Sequence, residues 1–107
     1  MEGRPLRPIT PEDSRLFKVV LRGEFAIRGF ENSDLRKHLL PASDRMGPDA
    51  RRQASGRVTR WLRLLRSHGL IRKVPGTRYY RVTEKGHHVM TTALAASESD
   101  VTEHRVA

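Results

Sequence analysis

The sequence predicts one mainly helical α+β domain with a small β-hairpin, ordered helix, strand, helix, helix, strand, strand, helix. Apolar residues recur three and four apart in several segments, the mark of amphipathic helices. Two short β-type runs, residues 70–74 and 78–82, flank a Pro75-Gly76 turn signal. The chain has 107 residues, enough for one core that removes roughly 60–70% of the unfolded surface from water.

The elements follow in order. Residues 1–10 carry Pro5, Pro8 and several charges and read as a loose arm. Thr10-Pro11-Glu12-Asp13 is a helix start: a capping hydroxyl, proline at the first position, then acids. Leu16, Phe17, Val20 and Leu21 form that helix's apolar face, and Gly23 is its expected stop. Residues 25–30 alternate and predict a short strand. Asn32 or Ser33 is placed to cap a second helix, Asp34 to Leu40, which Pro41 ends. Residues 41–48 have loop composition.

A long helix is expected over 49–68. At about 100° per residue, Arg51, Ala54, Val58, Trp61, Leu62 and Leu65 fall in one sector. Arg52, Gln53, Gly56, Arg57, Thr59, Arg60 and Arg63 spread over the rest. Gly69 is the expected stop. The hairpin spans 70–82, with Pro75-Gly76 suited to the centre of a type II turn. Thr83 is placed to cap a last helix to about Ser97, with Val89, Met90, Ala93 and Leu94 inward. Residues 98–107 read as a polar, frayed tail, which makes 11–97 the folded domain.

The charge distribution points to function. The net charge is +9, and cysteine is absent, which excludes disulfides, thiolate chemistry and Cys-ligated zinc. Residues 51–81 hold ten Lys or Arg and no Asp or Glu, while the other 76 residues net −1. A solvated surface mixes its signs, and a charged tail lacks the Val58, Trp61, Leu62 and Leu65 found here. Such a balance favours an anionic partner, nucleic acid or a membrane surface. A membrane helix would want Trp, Phe and Leu exposed opposite the arginines, and here the fold needs that face for its core. Trp61 sits on the Val58/Leu65 side and reads as core, where truncation to alanine costs about 3–5 kcal/mol. Gly56 has two readings: the helix starts or kinks there, or a DNA backbone comes close. His38 and His68 are expected partly buried. His87 and His88 diverge by about 100° on a helix, so a metal site there would need other ligands brought by folding.

Motifs from Val58 to Gly86 resemble a winged helix-turn-helix domain, similar to the MarR and PadR kinds of bacterial regulator. They are Leu62-x-x-Leu65 leading into His68-Gly69-Leu70-Ile71, the turn Pro75-Gly76-Thr77-Arg78, and Tyr80-Arg81-Val82-Thr83-x-x-Gly86. Asn32-Ser33-Asp34-Leu35 is similar to the start of that family's second helix. The resemblance implies sequence-specific binding of double-stranded DNA by a small transcriptional regulator, with helix 49–68 in the major groove and hairpin 70–82 as wing. Arg52, Gln53, Ser55, Arg57, Thr59, Arg60 and Arg63 are then the candidate contacts from the helix, and Lys73, Thr77 and Arg78 those from the hairpin. Related regulators dimerise through terminal helices, so helix 83–97 is the candidate homodimer surface.

A winged-helix protein adaptor and an RNA-binding module are the competing functions. No nucleophile-elbow, zincin, dinucleotide or P-loop motif is present, so neither catalysis nor a cofactor is expected. No apolar run is long enough for a membrane span. The N-terminus lacks the apolar region of a secretory signal, and a cytoplasmic location is the expectation.

Overall fold

The computed structural model describes residues 10–106, with side chains through residue 97. Apart from Thr10, the proposed arm 1–10 lies outside the described residues. The chain is mostly helical, with a two-stranded antiparallel sheet.

α1 (Pro11–Val20) starts as its sequence dictates, with the Thr10 hydroxyl accepting from the Asp13 N–H at 3.0 Å. It stops earlier than expected. Gly23 is not its end but the first residue of α2 (Gly23–Arg28). The predicted strand at 25–30 is therefore mostly a short helix. Phe25 is buried, but Ile27 is 81% exposed, so the alternation that suggested a strand does not bury both side chains. Glu24, Ala26 and Arg28 favour helix. A distant residue completes it: the Arg81 guanidinium donates to the Ala26 and Ile27 carbonyls, both at 2.7 Å. These are free carbonyls at a helix C-terminus, where a cation is favourable. Only Phe30 keeps strand character. It forms a lone antiparallel bridge with Tyr80, its N–H donating at 2.9 Å and its carbonyl accepting at 2.7 Å.

α3 (Asn32–Leu39) is capped one residue earlier than expected. Glu31 is the cap, and the Asp34 carboxylate accepts from its N–H at 2.9 Å. The Asp34 side chain also takes a hydrogen bond from Arg28, which raises the Arg28 pKa above its ordinary value. Pro41 opens a 3-10 turn over 41–44 inside the predicted loop.

α4 (Pro48–Ser67) runs unbroken through Gly56 and buries Ala54, Val58, Leu62 and Leu65 as one stripe. Arg51, expected in that sector, is exposed. The helix ends in two reversing bonds, Gly69 N–H to the Arg66 carbonyl and Leu70 N–H to the Leu65 carbonyl, both 2.9 Å.

β1 (Ile71–Lys73) and β2 (Tyr80–Val82) pair with Ile71 opposite Val82, Arg72 opposite Arg81 and Lys73 opposite Tyr80. The turn between them closes through Thr77 N–H to the Val74 carbonyl at 3.2 Å, and Gly76 supplies the positive φ of 75°. Thr83 then joins three elements. Its hydroxyl donates to the Gly69 carbonyl at 2.7 Å and accepts from the Gly86 N–H at 2.9 Å. Its own N–H donates to the Leu70 carbonyl at 3.0 Å.

α5 (Glu84–Val106) continues well past the expected end at Ser97, so the backbone of the predicted tail is helical almost to its last residue. Met90 is fully buried whereas Val89, also expected inward, is exposed. The core gathers Leu16 and Val20 of α1, Phe25, Phe30, Leu35 and Leu39, Val58, Leu62 and Leu65 of α4, Leu70, Ile71 and Met90. Among the described residues, no helix is long and apolar enough to cross a membrane.

Candidate nucleic-acid interface

Burial of the Ala54–Leu65 stripe decides which side chains of α4 point outward. Arg52, Gly56, Arg60 and Arg63 lie at successive near-turn spacings on the side opposite that stripe. Arg52, Arg60 and Arg63 are all exposed. Arg52 makes an i,i+3 pair with Asp49 at 2.9 Å, on a fully solvated edge. No carboxylate among the described residues lies within ion-pair distance of Arg60, Arg63 or Lys73. Arg60 and Arg63 thus stand on this side without an acidic partner among the described residues.

The other candidates from α4 occupy its flanks. Arg57 turns toward α1. Its guanidinium is 3.3 Å from the Glu12 carboxylate and lies over the Trp61 ring at 5.3 Å from the centroid. Trp61 packs against the core, on the side expected, but is only half-buried. Gln53 is exposed beside Arg57, on the rim of an apolar cleft of about 380 Å³ between α4 and the 3-10 turn.

Ser55 and Thr59 face α3 instead. The Asn32 amide donates to the Ser55 carbonyl and to the Thr59 hydroxyl, both at 3.1 Å, and the Ser55 hydroxyl donates to the Asn32 carbonyl oxygen at 3.2 Å. These three polar side chains tie α3 to α4.

Beyond them a cavity of about 460 Å³ opens between the start of α3, the middle of α4 and the hairpin. Arg36, Lys73 and Arg78 line it, together with Glu31. Arg36 is 3.4 Å from Asp44, but its buried Nε lacks a hydrogen-bond partner, so the pair is coulombic without alignment. Arg78 is 82% exposed and stands 3.6 Å from Glu31. Lys73 is exposed at the end of β1. Thr77 is exposed but spends its hydroxyl on the turn, donating to the Val74 carbonyl at 2.9 Å and accepting from the Tyr79 N–H at 3.0 Å.

The fold therefore returns acids to a stretch that has none of its own. Glu12, Glu31 and Asp49 come from outside residues 51–81 and take Arg57, Arg78 and Arg52. Sequence reading missed the parts played by Asn32, Arg36 and Arg81. Asn32 and Arg36 are four apart, so one helix face carries both, and that spacing was the available signal. His38 and His68 are exposed, not partly buried. Tyr80 is half-buried and stacks on Phe30 with centroids 6.1 Å apart.

No family model matches the chain, and neither a curated protein nor a solved structure matches it.

Proposed function

We propose that this chain is a winged helix-turn-helix protein that binds double-stranded DNA sequence-specifically and acts as a small transcriptional regulator. In this reading α4 enters the major groove and the hairpin 70–82 is the wing. The observation that carries it is the outward strip of α4, where Arg60 and Arg63 have no acidic partner among the described residues. A helix about 10–12 Å across fits the major groove. Arginine can bind guanine bidentately or clamp a phosphate. Arg52, Arg60 and Arg63 are the principal contacts, with Gln53 on the rim within reach of a neighbouring base. Arg57 contributes less because Glu12 and Trp61 hold it. Lys73 and Arg78 meet the sugar-phosphate backbone. The protein works from the cytoplasm and needs no cofactor in this reading.

The test is a salt titration of the full chain on a duplex selected from a random pool, a scrambled duplex, a single strand and an RNA of equal length. Arg60→Ala and Arg63→Ala are expected to cost about 1–3 kcal/mol on the selected duplex and to relax preference at a base position. Arg78→Ala is expected to weaken all duplexes alike and lower the slope of log K against log salt by about one. Wild-type affinity and slope in all three variants would transfer the protein to the adaptor class. Tighter binding to the RNA than to either duplex would make it an RNA-binding module.

A further inference from the structure

Gly56 lies in the middle of the outward strip, one turn after Arg52 and one turn before Arg60. It is neither a start nor a kink, since α4 is continuous from Pro48 to Ser67. A Cβ added there would meet nothing within 4 Å, so no intramolecular contact requires a glycine. Its φ is not positive either. Alanine is therefore better for the fold at this position, because glycine weakens a helix interior. What remains is the outside of the molecule, where a missing Cβ lets another surface come closer to the helix backbone.

We infer that Gly56 is the point of closest approach between α4 and the duplex, a notch that lets the helix settle deep enough for Arg52, Arg60 and Arg63 to reach together. This rests on the reading of α4 as the DNA-contacting helix. The duplex suits the notch because its groove walls are stiff and close on both sides, so one methyl group on the deepest line of the helix displaces the whole strip. A flexible partner would repack around it.

The experiment compares Gly56→Ala, Gly23→Ala and Arg60→Ala with the wild type by thermal melting and by titration on the selected duplex. Gly23 is also open, with nothing within 4 Å of an added Cβ, but it begins α2, away from the strip. Gly56→Ala is expected to melt higher, by about 4–8 °C, and to bind at least tenfold more weakly. Gly23→Ala is expected to bind as the wild type does. If Gly56→Ala binds within twofold of the wild type while Arg60→Ala is weakened, the notch is refuted and the DNA reading stands. If neither variant loses affinity, the DNA reading fails and takes the notch with it. A lower melting temperature for Gly56→Ala would mean that the position is not open, and would equally refute the inference.

Discussion

An aromatic ring half-covered by an arginine costs less to remove than one sealed in a core. Trp61→Ala is accordingly expected to destabilise by about 2–3 kcal/mol, below the 3–5 kcal/mol of a fully buried aromatic. Urea unfolding followed by circular dichroism checks it, and a loss above 4 kcal/mol would put the ring back in the core. Gly86 presents the opposite case. A Cβ there would run into the Leu70 carbonyl, with its carbon only 2.7 Å away. Neither backbone can retreat easily, since Thr83 bonds both neighbourhoods. Gly86→Ala is expected to cost about 1–3 kcal/mol or more, read as a lowered melting temperature. The apolar stripe of α4 was legible at this scale because a period of 3.6 fixes which residues share a face. The partners of the flanking residues were not. Arg57 lies beside the stripe by angle alone, and only the placement of α1 shows that Glu12 takes it.

At the scale of elements, the third of the chain from α4 to the start of α5 was the most legible. Gly69, Pro75-Gly76 and Thr83 are punctuation whose physics is local, and each acts where its residue type predicts. Residues 25–30 were misread because six residues are too few for a period to declare itself. Two carbonyls of the short helix there are satisfied by Arg81, more than fifty positions away. Arg81→Ala is expected to destabilise the protein by about 1–3 kcal/mol and to speed amide exchange in α2. In the proposed DNA-binding reading, the salt slope on a duplex should stay unchanged. A reduced slope would assign Arg81 to the interface. Arg72 and Arg81 face each other across the ladder, an arrangement of like charges that is costly unless one is drawn away. The turn of Arg81 toward α2 does this.

For the whole molecule, the ten-to-none charge block of residues 51–81 overstated the free charge. Sequence shows where cations lie along the chain but not which acids fold back onto them. The extent of α5 was likewise illegible, since polar composition after Ser97 argues against burial, not against helix. Its 23 residues make a rod of about 34 Å. We propose that its stretch within 83–97 pairs with its counterpart in a second copy, as the resemblance implies, giving a preference for palindromic half-sites about one helical turn apart. Light scattering at high micromolar concentration, with and without DNA, is expected to report a dimer; a monomer in both would remove the pairing.

The three bonds of Thr83 make the base of the hairpin a closed clasp, with the chain leaving at Leu70 and returning at Thr83 to the same spot. Pro75 to Arg78 hang beyond it, each of them exposed. The tip is in effect an exchangeable cartridge. Four Gly/Ser residues inserted between Gly76 and Thr77 should cost about 1–3 kcal/mol, since lengthening a loop adds closure entropy only logarithmically and the rest is the loss of the Thr77 bonds to Val74. A tip of reversed charge, or one recognising another surface altogether, could be grafted there without redesigning the rest of the chain.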